Sequence, residues 1–182
     1  MSLPETVEVH KLTVREFHAL EPFLDPDRRH ELLDGQILVM PIPGNPHSVA
    51  LNELTAQFML QRRAGLYVSL GGLRASETTG LLPDLCLLEQ KPSGPDNPSA
   101  SAAKLVVEVA HTTLSYDTGD KLRAHQQAGV PEYWVVDVAG RRLLRYLAPE
   151  YHCQTFAGGQ TPLSPQAYPD VSIDVGALFT GS

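Results

Sequence analysis

Two carboxylates and one ammonium stand in apolar stretches of this chain where a side chain without a task would be hydrophobic. Leu82-Pro83-Asp84-Leu85-Cys86-Leu87-Leu88 is a strand-like run that carries Asp84, and Leu105-Val106-Val107-Glu108-Val109-Ala110 is a second that carries Glu108. A helix-like segment bearing Lys121 follows. A buried, unpaired carboxylate costs on the order of several kcal/mol, so it takes up a proton or finds a cation. Two such groups converging beside an ammonium would hold a divalent metal next to a positive charge. That equipment suits hydrolysis of a phosphodiester. Each acid alone has a competing reading, a place near a strand end from which it reaches water or a helix cap.

Strand alternation sets Glu108 on one face with Val106 and Ala110, and Asp84 on one face with Leu82 and Cys86. Both runs are nearly continuous in apolar residues, as expected of strands covered on both sides. Lys121, Ala124, His125 and Ala128 fall on a single helical stripe whose alanines suit packing on a sheet. Lys121 can therefore point back toward Glu108. The competing reading is a surface lysine paired with Asp117 one turn earlier, and the helical pattern alone favours it.

The elements that must position these groups are legible in outline. Thr13 and Glu16 form a capping box at the start of a short helix. His30 to Met40 reads as a hairpin turning at Asp34-Gly35. A helix is expected from His47 to Arg63, capped by Asn45 or Ser48 and stopped before Gly65, with strands at Tyr67 to Arg74 and Leu82 to Leu88. Strand Leu105 to Ala110, a helix capped by Asp117 and running to Ala128, and strand Glu132 to Val138 make a βαβ unit with a right-handed crossover. Leu143 to Tyr146 and Tyr151 to Phe156 read as a last hairpin. The expected class is α/β with a mixed (α+β) sheet, in which the Asp84 and Glu108 strands are neighbours.

At 182 residues and 42% hydrophobic, the chain is read as a tail over residues 1–11 and a single domain over residues 12–182. No apolar run approaches the length of a membrane span, and residues 1–11 lack the apolar core of a secretory signal. Cys86 and Cys153 lie far apart without metal-ligand spacing, which suits a reduced, cytoplasmic setting. The formal net charge of −7 counts against a generic nucleic-acid binder. A local basic stripe can coexist with it; Arg62-Arg63, Arg74, and Arg141-Arg142 with Arg145 are the candidates, each more readily solvated surface than ligand contact.

His30-Glu31-Leu32-Leu33-Asp34-Gly35, then His47, Leu82-Pro83-Asp84, Glu108-Val109-Ala110, Asp117 with Lys121, and Gly129-Val130-Pro131-Glu132-Tyr133-Trp134-Val135-Val136-Asp137 follow one another in an order that resembles the Uma-two family. These are bacterial, restriction-endonuclease-like proteins with the PD-(D/E)xK nuclease core. The resemblance implies a restriction-endonuclease-like core with flanking helices, DNA as substrate, and a divalent-metal site at Asp84 and Glu108 for Mg²⁺, with Mn²⁺ as substitute. The superfamily's lysine usually lies two residues after the acid, where this chain has Ala110; Lys121 resembles the displaced replacement. Glu31 is implied as an accessory carboxylate. His111 departs from the small polar or acidic residue more usual in the family, and His47 is expected to cap or pack at a helix start.

Three readings compete: a metal-dependent DNA endonuclease, a non-catalytic nucleic-acid-binding or assembly module that keeps the fold, and an enzyme using the same site on another substrate. The trio Asp84, Glu108 and Lys121 favours catalysis. A homodimer is expected from the apolar surface offered by Tyr133, Trp134 and the Leu143 to Tyr146 hairpin. Asp84→Asn is expected to weaken metal binding and to relieve carboxylate repulsion in the metal-free protein.

Overall fold

The computed structural model describes residues 8–159 and 162–180. Most of the expected tail, residues 1–7, lies outside the described residues. The capping box forms at α1 (Val14–Leu20), where the Glu16 N–H donates to Thr13 Oγ1 at 3.2 Å and Glu16 Oε2 accepts from the Thr13 N–H at 2.8 Å. β1 (Arg29–Leu33) and β2 (Gln36–Met40) pair antiparallel about Asp34 and Gly35, both at positive φ as a tight two-residue hairpin turn requires. Gly35 has a second reason to be glycine, since a Cβ there would stand 2.5 Å from Lys11 Cβ. Lys11 in turn donates to both Asp34 carboxylate oxygens at 2.7 Å, so the end of the expected tail packs on the hairpin.

α2 (Asn45–Leu60) starts two residues earlier than the spacing predicts, with Gly44 rather than Asn45 or Ser48 at its cap. The expected strand over residues 67–74 is two strands in different sheets, β3 (Tyr67–Ser69) and β4 (Leu73–Ser76). The break falls at Gly71-Gly72, where the backbone passes so close to Asn97 that a Cβ on Gly72 would lie 2.6 Å from Nδ2. The Leu82 to Leu88 strand is likewise divided. β5 (Thr79–Leu81) ends before Leu82, and β6 (Leu85–Leu88) begins only after Asp84. Pro83 has no N–H for a ladder, so the segment that carries Asp84 is the joint where the chain leaves one sheet for the other.

The four-stranded sheet runs β2-β1-β5-β4. The six-stranded sheet runs β10-β9-β8-β7-β6-β3, with β7 (Ala103–Ala110), β8 (Glu132–Asp137), β9 (Arg142–Leu147) and β10 (Cys153–Ala157). β6 and β7 are antiparallel neighbours, and β7 and β8 are parallel, joined by the expected helical crossover. That crossover is broken into α3 (Leu114–Asp117) and α4 (Asp120–Gln127). Asp117 therefore closes α3 and is buried, instead of capping one long helix. Gly129 takes the left-handed conformation after α4, as its position predicts.

One face of the large sheet packs Leu105, Val107, Trp134 and Val136 against Leu54 and Phe58 of α2, and Val171, Ile173, Leu178 and Phe179 of the C-terminal segment close that core. The other face packs Cys86, Val106, Tyr133, Val135, Leu144 and Tyr146. Each large apolar side chain buried this fully contributes about 1.5–3 kcal/mol. Tyr133 and Trp134 have no exposed surface, and Leu143, Leu144 and Tyr146 are buried with them. The apolar surface expected to seat a second copy is the core of a single chain.

Candidate active site

The pairing of β6 with β7 sets Leu85 across from Val107 and Cys86 across from Val106. Extending that register by one residue brings Asp84 opposite Glu108. Asp84 has left the ladder, yet its carboxylate replaces it: Oδ2 accepts the Val109 N–H at 2.8 Å. Glu108 lies within β7, on the face with Val106 and Ala110 that α3 and α4 cover. The two acids line one cavity of about 220 Å³, together with Glu31, Lys121, Arg29, His47 and Asp117.

Lys121, in the first turn of α4, is 2% exposed. Its Nζ lies 2.9 Å from Glu31 Oε1 and 2.9 Å from Glu108 Oε2. The surface pairing of Lys121 with Asp117 is thereby excluded as its position, although Asp117 stays close enough to act on it electrostatically. Burial alone would lower the Lys121 pKa; the carboxylates of Glu108, Glu31 and Asp117 overcome it and hold the ammonium protonated. Glu31, reaching in from β1, also accepts the Leu82 N–H at 3.1 Å and the Tyr116 hydroxyl at 3.1 Å. It thus joins the small sheet, the Leu82-Pro83-Asp84 joint and the helix bearing the lysine.

The acids differ in electrostatic state. Burial pushes the Glu108 pKa well up; Lys121 opposes that, and the carboxylates of Asp84, Asp117 and Glu31 add to it. Burial also works to raise Asp84, but His47, the Val109 N–H and Lys121 outweigh it and hold the group below the ordinary aspartate range. Asp117 is raised by burial, with Lys121 and the Thr113 hydroxyl (2.5 Å from Oδ2) opposing. Four carboxylates, Glu31, Asp84, Glu108 and Asp117, thus face the cationic side chains of Lys121 and Arg29, an excess of negative charge that a divalent cation would relieve.

Several participants were not read from the sequence. Arg29, two residues before Glu31 and so on the same face of β1, places Nη1 3.2 Å from Asp84 Oδ1 and donates from Nη2 to the Leu82 carbonyl at 2.8 Å. Its strand alternation with Glu31 was the available signal. His47 does more than pack at a helix start: Nε2 lies 3.1 Å from Asp84 Oδ2, while Nδ1 is buried without a partner. Tyr116 carries no sequence signal beyond proximity to Lys121, and Asp117, expected as a helix cap, lines the cavity instead. His125, on the Lys121 stripe, is fully buried with neither ring nitrogen hydrogen-bonded, and its Nε2 lies 3.8 Å from Glu108 Oε1. Burial, then the Lys121 charge, press its pKa down to about 3, so the ring is neutral. His111 is exposed at the cavity wall.

Among the described residues, no three His, Cys, Asp or Glu side chains form a cluster ready to hold a metal ion. The donor set still fits a hard cation. Glu108 Oε1 is buried with no hydrogen-bond partner, the other donors are carboxylate oxygens, and Mg²⁺ retains several waters, so two protein carboxylates suffice.

A crystal structure of a protein described as a putative nuclease belonging to DUF820, from Anabaena variabilis, superposes with a TM-score of 0.74 at 15% identity, over 93% of this chain and 98% of that one. At that identity the likeness establishes the fold, a mixed α/β architecture of two sheets. No curated protein matches the chain. The family model Uma2, described as "Putative restriction endonuclease", matches residues 14–176, which takes in both sheets and every residue of the cavity. The chain belongs to the Uma2 (Uma-two) family.

Proposed function

We propose that this chain is a metal-dependent endonuclease that hydrolyses DNA phosphodiester bonds, with Asp84, Glu108 and Lys121 as its catalytic residues and Glu31 as the accessory carboxylate. The observation that carries the reading is the buried Lys121 ammonium, held between Glu31 and Glu108 in the cavity that Asp84 also lines. A lone structural lysine would not need two carboxylates and a third beside it.

Asp84 and Glu108 would hold Mg²⁺, or Mn²⁺ in its place. The ion, when bound, would supply a Lewis acid for the scissile phosphate and lower the pKa of a water. Lys121, protonated throughout the physiological range, offsets negative charge that builds on the phosphate and orients the attacking water through Nζ. Glu31 fixes where that ammonium points. Arg29, with a side chain 35% exposed, is the cation that meets an incoming phosphate. His47 and the Val109 N–H fix the Asp84 carboxylate.

One observation favours the non-catalytic nucleic-acid-binding or assembly module as a second reading. Both Asp84 oxygens are already engaged, Oδ1 by Arg29 and Oδ2 by His47 and Val109. Incubation of supercoiled plasmid and circular single-stranded DNA with the protein and Mg²⁺ or Mn²⁺, beside a chelator control, separates the two: chelator-sensitive cleavage supports the enzyme, and metal binding without cleavage supports the module.

We place the protein in the cytoplasm, as a single domain over residues 12–182. Both cysteines are unpaired, and among the described residues no helix is long and apolar enough to cross a membrane. A homodimer, the expected arrangement for cutting both strands of a duplex, draws no support from Tyr133 or Trp134; light scattering decides it.

A further inference from the structure

The cavity that holds the carboxylates also has an apolar part to its wall. That part is built by Met40 at the end of β2 and by Pro41, Ile42, Pro43 and Gly44, which lead into α2. Ile42 lines this cavity and is 69% exposed, so its side chain is open to an incoming group. Prolines on both sides of Ile42 fix the backbone of the turn and leave only Ile42 and Gly44 with an N–H. The turn therefore offers apolar surface with few donors for a phosphate. A stiff, largely apolar wall on the same cavity as the candidate catalytic carboxylates is suited to the flat face of a base, which binds by contact and without sequence preference.

Electrostatics narrows the substrate further. A closed duplex carries one negative charge per ~1.7 Å, and proteins hold it by neutralising a row of phosphates. Here the chain is at −7, and the cationic side chains on the cavity are Lys121, buried and doubly paired, and the half-exposed Arg29. A recess of about 220 Å³ takes a group on the scale of one nucleotide, not two paired strands. We propose that the Pro41-Ile42-Pro43 turn is the base-binding wall of the site, and that the substrate is a single or locally unpaired DNA strand. This inference rests on the nuclease reading above.

The test uses the full chain, a fluorescently labelled single strand, and the same strand in a perfect duplex, each with Mn²⁺. The single strand is cut at least tenfold faster than the duplex, and Ile42→Ala loses about tenfold in kcat/KM on it, mainly through KM, while Mn²⁺ affinity measured by calorimetry is unchanged. In a second arm, a strand containing 2-aminopurine is bound to Asp84→Asn without cleavage; its fluorescence rises as the base leaves its neighbours, and this rise is lost when Ile42→Ala is added. Equal cutting of duplex and single strand, or an Ile42→Ala protein that matches wild type in both arms, overturns the base wall and leaves the nuclease standing. Absence of cleavage of either DNA by the Mn²⁺-loaded protein overturns both.

Discussion

Lys121 Nζ lies 2.9 Å from Glu31 Oε1 across a sequence separation of 90, and this pair fastens the four-stranded sheet to the helix that covers the six-stranded one. Both partners are buried, so neither charge has water to fall back on. Glu31→Ala removes the acceptor of Lys121, of the Leu82 N–H and of the Tyr116 hydroxyl at once. Breaking a buried pair of this kind costs about 3–5 kcal/mol. Urea unfolding should show that loss for Glu31→Ala and a smaller one for Glu31→Gln, whose amide oxygen still accepts.

Glu108→Gln and Asp84→Asn should shift stability in opposite directions in metal-free protein. The Glu108 pKa is raised, so the stability tied to its protonated form is present at low pH and lost as pH rises above the ordinary glutamate range. At neutral pH the neutral amide relieves that strain, and Glu108→Gln should melt higher than wild type. The Asp84 pKa is lowered, so its ionised form stabilises the fold at neutral pH and that contribution is lost as pH falls through the folded value. Asp84→Asn should melt lower. The relief of repulsion that the sequence led us to expect at Asp84 belongs at Glu108, because His47 and the Val109 N–H already stabilise the Asp84 charge. Both variants should lose Mn²⁺ binding by calorimetry.

His125 gives the protein an acid-side liability. Its folded pKa is pressed down to about 3, while an unfolded histidine titrates near ~6.5, so between those values the unfolded chain binds the extra proton. Stability from this group is complete above that window and falls as pH drops through it, by about 2 kcal/mol at pH 5 relative to pH 7. His125→Phe removes the titration and two unpartnered buried nitrogens. Its melting temperature should change less than that of wild type between pH 7 and pH 5; parallel curves would contradict the assignment.

Lys121→Met tests the ammonium apart from the metal. Mn²⁺ should still bind, since the carboxylates remain, whereas cleavage should slow by ~10²-fold or more, as for loss of one donor to the transition state. Unchanged activity would leave the carboxylate pair in place and remove the lysine from the mechanism.

The parts of the fold that local chemistry dictates were legible. Asp34-Gly35 admits few turns, Thr13 and Glu16 cap one helix, and strand–helix–strand over Leu105 to Asp137 leaves one crossover. Glu108 and Lys121 were legible because a charge in an apolar run, and another on an alanine stripe, conflict with their surroundings. The sheet change at Pro83 and the break at Gly71-Gly72 were not, because the runs around them are apolar in either sheet. Tyr133 and Trp134 were read as surface because a strand covered on both faces and a strand awaiting a partner have the same sequence pattern. His47 meets Asp84 only through tertiary packing of α2, which no local spacing reports, and alternation with Glu31 gives Arg29 its face of β1 but not its partner Asp84.

The most direct measurement is cleavage of circular DNA, supercoiled and single-stranded, by the purified full chain with Mg²⁺ or Mn²⁺ and with a chelator. The account predicts broken circles with either ion, none with the chelator, and none from Asp84→Asn or Glu108→Gln. Intact circles in every lane, from a protein that calorimetry shows to be folded and metal-loaded, would contradict it.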